Sequence, residues 1–269
     1  MDGFVAARAS YLLRIWELRY FWFSLVRNDL DNRYKKSFFG IGWSLLKPIA
    51  MTAIFCVVFG KLFGVPVEDY APHLLVGMLS WQFIVESLEM GCCSFSSGSA
   101  YIRQQHVPLA IFPLRTVLGA GFHALVALSL GLAVTLVFKG RLDPVALLAL
   151  IPAMVLLFFL GWSMAIISGV ACTHFPDTSH MLAIGLQILF YVTPILYKPN
   201  EFATRGGRLA FLVEWNPLTS VLALIRTPIL EGTFPAMRHI AISVLFLAVV
   251  GTVAIVLLRK LERTLVFWI

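Results

Sequence analysis

From Pro144 to Pro176 the chain carries no Asp, Glu, Lys or Arg. A bilayer's hydrocarbon, about 30 Å thick, is crossed by roughly 20 apolar helical residues. This run is long enough and apolar enough to be such a crossing, so it predicts a membrane-spanning α-helix. Composition agrees with that reading. Of 269 residues, 59% are apolar and 13% charged, about half the charged share of an ordinary soluble domain, and the mean hydropathy is +0.87.

Six stretches satisfy the length requirement: about 44–63, 72–93, 111–138, 144–173, 181–197 and 239–258. Lys47–Pro48 falls in the opening turn of the first, where proline costs little because that N–H has no helical partner. The second contains Glu86 and Glu89, and the fifth is short and ends in "YVTPILY". The expected fold is an all-α integral membrane protein. Residues 1–43 form a cytoplasmic N-terminal region, 44–258 a six-span domain, and 259–269 a cytoplasmic tail. The early apolar residues are broken by Arg8, Arg14, Glu17 and Arg19, which argues against a cleavable signal peptide.

Charge sets the expected orientation. Net charge is +7, and the cations gather before the first span, from Arg8 to Lys36, and after the sixth, at Arg259, Lys260 and Arg263. Lys and Arg resist translocation, so both ends belong in the cytoplasm. The loop from Tyr197 to Arg238 also holds five Lys/Arg and lies outside on this reading, with Glu201, Glu214 and Glu231 among them. The cations do not alternate with aromatics along a groove, so anionic lipid, not nucleic acid, is the partner they predict. Cys56, Cys92, Cys93 and Cys172 show neither CxxC nor a secreted framework and read as buried thiols.

Ahead of the first span, Arg14, Glu17, Ser24, Asn28, Asp31 and Lys35 fall on one helical stripe. Leu12, Ile15, Trp16, Phe23, Val26 and Leu30 fall on the other. That pattern predicts a helix in the membrane interface with its aromatic face in lipid. "NRYKKSFFGIGWSLLKP", from Asn32 to Pro48, then turns the chain from lying on the membrane to crossing it. The mixed charges of "RNDLDNRYKK" imply something docked on the wet side.

Enzyme motifs are missing: neither HExxH nor GxSxG occurs, and "GWSMA" around Ser163 reads as a packing contact between helices. Glu86 and Glu89 share a helix face at bilayer depth, where carboxylates are costly and usually functional. They line a wet cavity or form an acid pair for catalysis or proton coupling; no Lys or Arg partner is evident for them. No GxxxxGK[ST] occurs, so ATP-driven transport requires an ATPase on another chain. No internal repeat of the kind seen in secondary transporters is visible. "YIRQQHVPLAIFPLR", from Tyr101 to Arg115, reads as a short cytoplasmic helix followed by a rigid, proline-marked return to the membrane. The stretch from Tyr191 to Leu230 is half apolar and repeatedly broken by proline, and its pieces suit a dip into the outer leaflet and back.

The blocks "RNDLDNRYKKSFFGIGWSLLKP", "RQQHVPLAIFP", "FPDTSHMLAIGLQILFYVTPILY" and "WNPL" stand in an order that resembles the type-two ABC exporter permeases of lipid-linked polysaccharides such as O-antigen, with teichoic-acid exporters as relatives. The resemblance runs from about Asn28 to the C-terminus. It implies a homodimer in the bacterial cytoplasmic membrane, each subunit binding one ATP-binding-cassette ATPase. No cofactor belongs to this chain, and ATP and Mg sit on the partner. By likeness, Tyr101–Pro108 is the coupling helix, with Arg103, Gln104, Gln105 and His106 facing the ATPase, which Arg27, Asp31, Arg33, Tyr34 and Lys35 also help to seat. The gate region spans about 198–231, bracketed by Pro194 and including Trp215, Asn216 and Pro217. Family members often carry an Arg–Asp pair before the fifth span; here Pro176 precedes Asp177, which removes the cation. Aromatic faces stack on sugar C–H groups, so Trp43, Phe55, Phe59, Trp81, Tyr191 and Tyr197, with Glu86 and Glu89, are the channel candidates. Two rival readings stay open: a membrane-embedded enzyme of glycan or lipid assembly using the two acids, and an ion-coupled flippase using the same pair.

Overall fold

The computed structural model describes residues 11, 13–35, 37, 39–104, 107–197 and 215–268. All regular structure among them is helical. In chain order the elements are α1 Arg19–Tyr34, α2 Gly42–Phe63, α3 Val67–Cys92, α4 Ser94–Ser97, α5 Ser99–Gln104, α6 Ile111–Lys139, α7 Pro144–Leu147, α8 Leu150–His174, α9 Thr178–Val192, α10 Pro217–Arg226 and α11 Met237–Trp268, with a π-helical turn, Thr227–Glu231, continuing α10.

Four segments among the described residues are long and apolar enough to cross a membrane: Gly42–Gly60, Ile111–Lys139, Pro144–His174 and Met237–Lys260. They correspond to the first, third, fourth and sixth expected spans. Each turns large apolar residues outward, among them Val57, Val137, Ile151 and Leu245. That pattern is costly in water and natural against lipid tails.

α3 is long enough to cross but not apolar enough, and its packing explains why. Among the helices long enough to cross, it is the most enclosed, contacting α2, α6, α8, α9 and α10. Because little of it meets lipid, it carries His73, Ser80, Gln82, Glu86 and Ser87 without exposing them to hydrocarbon. Val76, Phe83 and Ile84 from α3 meet Val117 of α6, Leu157 and Leu160 of α8, and Leu222 and Ile225 of α10 in the main core. Toward its C-terminal end α3 approaches α8 through small residues. A Cβ at Gly169 would lie 2.8 Å from the Gly91 carbonyl, so this crossing depends on glycine.

α9, with 15 residues, covers only about 22 Å at 1.5 Å per residue. It gives way at Thr193 to an irregular stretch running to Tyr197. α2 starts at Gly42, earlier than expected, so Pro48 lies inside the helix and not in its opening turn. A second core unites Ile15, Phe95, Ile102, Leu109, Phe112, Val170 and Leu258, where the N-terminal region meets α5 and the ends of α6, α8 and α11.

The structure pairs Cys92 with Cys172, joining the ends of α3 and α8, while Cys56 and Cys93 are free. This corrects the expectation of four thiols. Two cysteines 80 positions apart show no motif in sequence, yet the close α3–α8 packing brings them together.

Candidate functional site

The richest polar cluster lies where α1 meets α3 and α6. The stripe Arg14, Glu17, Ser24, Asn28, Asp31 and Lys35 is exposed, as its spacing predicts. The apolar stripe divides. Ile15 and Val26 are buried against the protein, whereas Trp16 and Phe23 stay exposed. Packing α1 onto α6 splits the apolar side into a protein-facing part and a part left for lipid.

On the wet side Arg27 pairs with Asp31 at 3.8 Å, both largely exposed. Asp29 and Arg33, four apart and each about half exposed, reach toward the neighbouring helices. The guanidinium of Arg115, at the start of α6, donates through Nε and Nη2 to the two carboxylate oxygens of Asp29. Arg33 Nη2 lies 3.8 Å from Glu86 Oε1 on α3, and Gln82 Nε2 donates to the same oxygen at 3.4 Å. Glu86 is thus not without a cation, as the sequence suggested, because α1 delivers one. Glu89 is exposed; it and Lys47 lie within electrostatic reach of Glu86. The Tyr34 hydroxyl and the buried His123 ring of α6 share a hydrogen bond, 3.1 Å from Nδ1. Burial raises the Tyr34 phenol above its ordinary pKa, so it remains protonated. Between these groups is a cleft of about 20 Å³ whose polar lining is Ser44, Gln82, Glu86 and His123. It is room for about one water.

Asp29, Arg115 and His123 were not singled out from sequence. A histidine inside the apolar run 111–138 was the visible signal; pairing of residues 86 positions apart left none.

In the loop after α3, the short α5 buries Ile102 in the second core and sets Tyr101 edge-on to Phe21, ring centroids 5.5 Å apart. Arg103 and Gln104 are exposed; Gln105 and His106 lie outside the described residues. Lys35 is exposed just past α1.

The aromatic candidates are dispersed. Trp43 is exposed beside Phe39, Phe55 and Phe59 meet edge to face, and Tyr191 is exposed next to Phe190. Trp81 is buried in the main core against Phe190. Tyr197 donates to the Val192 carbonyl at 3.0 Å.

A second polar knot ties α10 to the stretch after α9. Asn216 caps α10 by accepting from Leu218 N and donates to Thr193 Oγ1, each at 3.0 Å. Pro217 occupies the first helical turn, where its missing N–H costs nothing. Buried Arg226 donates to the carbonyls of Pro194 and Ile195, the latter at 3.0 Å, and Tyr70 donates to the Leu196 carbonyl at 2.6 Å. Gly77 on α3 leaves the notch that Arg226 fills. Trp215 is exposed, with the Arg238 guanidinium 6.0 Å from its ring. Residues 198–214 of the expected gate region lie outside the described residues. Among the described residues no group of three or more His, Cys, Asp or Glu converges as a metal site would require.

The described residues, helical wherever they are regular and with four segments long and apolar enough to cross a bilayer, define a multipass membrane protein. The ABC-2 type transporter family matches residues 20–230, and the chain belongs to that family. It is 26% identical over 243 residues to an O-antigen export system permease protein of Klebsiella pneumoniae, covering 88% of this chain and 90% of the relative. A second Klebsiella pneumoniae permease of that name is 26% identical, covering 82% and 83%, and one from Myxococcus xanthus is 24% identical, covering 83% and 87%. The family makes this chain a transport subunit, not an enzyme, and implies an ATP-binding-cassette partner.

Proposed function

We propose that this chain is the permease subunit of an ATP-driven exporter that moves a lipid-linked, O-antigen-like polysaccharide across the bacterial cytoplasmic membrane. The observation that carries the reading is the near full-length match to permeases named for O-antigen export, on a chain matched over most of its length by the ABC-2 family. Two permeases work with two cassette ATPases, which hold the ATP and Mg. α3 and α9 complete six spans, and both termini are cytoplasmic. The enclosure of α3 supports its crossing despite its polar residues, and the irregular stretch to Tyr197 lets the short α9 reach further. α10 and the π-turn are too short to cross and are bonded back to residues 193–195, which supports a gate at the outer face. Non-helical backbone is tolerated at that depth when, as here, protein satisfies it. Arg103 and Gln104 on α5 and the Arg27–Asp31 face of α1 seat the ATPase. The exposed aromatics Trp43 and Tyr191, with the partly buried Phe55 and Phe59, serve the sugar chain.

Affinity purification from native membranes tests the proposal. The cassette ATPase should remain bound, and deleting its gene should leave the finished lipid-linked glycan on the cytoplasmic side. Undiminished surface polysaccharide in that deletion would refute it.

A further inference from the structure

Two residues that the family resemblance places at the ATPase surface, Arg33 and Tyr34, also contact the spanning helices. With Asp29 they make two directional contacts to α6, Asp29–Arg115 and Tyr34–His123, and one looser ion pair to α3, Arg33–Glu86 at 3.8 Å. α1 therefore has two polar faces. Arg27 and Asp31 look out, while Asp29, Arg33 and Tyr34 reach toward the neighbouring helices. Apolar packing by itself lets a helix slide or roll. A bidentate guanidinium–carboxylate contact fixes orientation as well as distance, and the Tyr34–His123 hydrogen bond, further along both helices, fixes the roll of α1 against α6. Such pairs are weak contributors to stability, and Asp29 is 42% exposed, so what this arrangement supplies is geometry.

We propose that α1 and α6 form one rigid transmission unit with Asp29–Arg115 as its principal joint, and that α3 is carried along by its packing on α6. A push on the outer face of α1 by the ATPase then reaches the helices at the centre of the bundle without passing through α5. The inference rests on the proposed seating of the ATPase on α1. Asp29 and Arg115 are positioning residues: they touch neither substrate nor nucleotide.

The test measures export per ATP hydrolysed by the reconstituted permease–ATPase complex. Asp29→Asn and Arg115→Gln should leave the complex assembled and hydrolysing ATP, while export per ATP falls on the order of tenfold, within the range by which single residues modulate coupling between sites. The charge swap, Asp29→Arg with Arg115→Asp, should restore most of it. Where the swap does not assemble, Asp29→Cys with Arg115→Cys in a Cys93→Ser background decides the matter. Bridged by a short bis-methanethiosulfonate the complex should couple nearly as wild type, and reduction should uncouple it while the equally reduced Cys93→Ser parent, whose Cys92–Cys172 link is opened too, stays coupled. Unchanged export per ATP in the assembled single variants, or equal uncoupling with the bridge closed and open, would overturn the inference. Loss of ATP-dependent export by the wild-type complex would instead defeat the exporter reading itself.

Discussion

Adding one methyl group at Gly77 is expected to unseat Arg226. A Cβ built there lies 1.8 Å from Arg226 Nη2 and 2.7 Å from Cζ, so the two cannot coexist. A guanidinium at the end of a flexible side chain ordinarily moves aside at little cost, but this one is buried and donates to the Pro194 and Ile195 carbonyls. Hydrogen bonds to a charged group contribute about 1.5–3 kcal/mol in soluble proteins, and interhelical bonds in membranes average about 0.6, rising to about 1.7 kcal/mol. Two such bonds plus the strain of overpacking, about 1–3 kcal/mol, place the cost of Gly77→Ala near 3 kcal/mol. A double-mutant cycle by SDS unfolding of the purified permease separates this cause from a general dislike of alanine in α3. Once Arg226→Ala has emptied the notch, Gly77→Ala should cost less than about 0.5 kcal/mol, which makes the pair strongly non-additive. Additive effects of the two substitutions would show that Gly77 is not there for Arg226, and the knot joining α3, α9 and α10 would have to be redrawn.

Charge reversal at Arg103, or replacement of Gln104, should uncouple ATP hydrolysis from export without unfolding the permease, since Ile102 is buried in the second core and Tyr101 packs on Phe21; undisturbed export would make the loop a passive connection. Glu86→Gln with Glu89→Gln keeps size and hydrogen-bonding capacity, and the partly exposed Arg33–Glu86 pair at 3.8 Å contributes little, so export should fall at most about threefold. Collapse of transport with ATP hydrolysis intact would favour the proton-coupled reading. Mild oxidation of the purified protein should link Cys92 to Cys172, read from non-reduced peptide masses, and a link through Cys93 would contradict the α3–α8 packing.

Legibility followed lipid contact. Helices with a broad outward face, α2, α6, α8 and α11, are long apolar runs because hydrocarbon demands it, and their spans are plain in the sequence. α3 is enclosed by protein, so hydropathy under-reports it. α9 stops at Thr193 because the chain there is bonded to Asn216 and Arg226, which lie across residues outside the described set. The polar stripe of α1 was readable from its period, but its inward contacts were not. Asp29 and Arg33 are ordinary interface charges until α6 and α3 pack beside them. Arg115 looked like the end of a loop, and Glu86 looked unpaired, because Arg33 is separated from it by the whole first span.

The central claim is that this chain conducts a lipid-linked glycan outward on energy supplied by another subunit. Proteoliposomes holding the permease with or without its cassette ATPase, loaded with the lipid-linked polysaccharide, test it most directly. Glycan should become accessible on the far side only when both proteins and ATP-Mg are present, and the permease alone should neither hydrolyse ATP nor move glycan under a proton gradient. ATP turnover by the permease alone, or equal translocation without the ATPase, would contradict it.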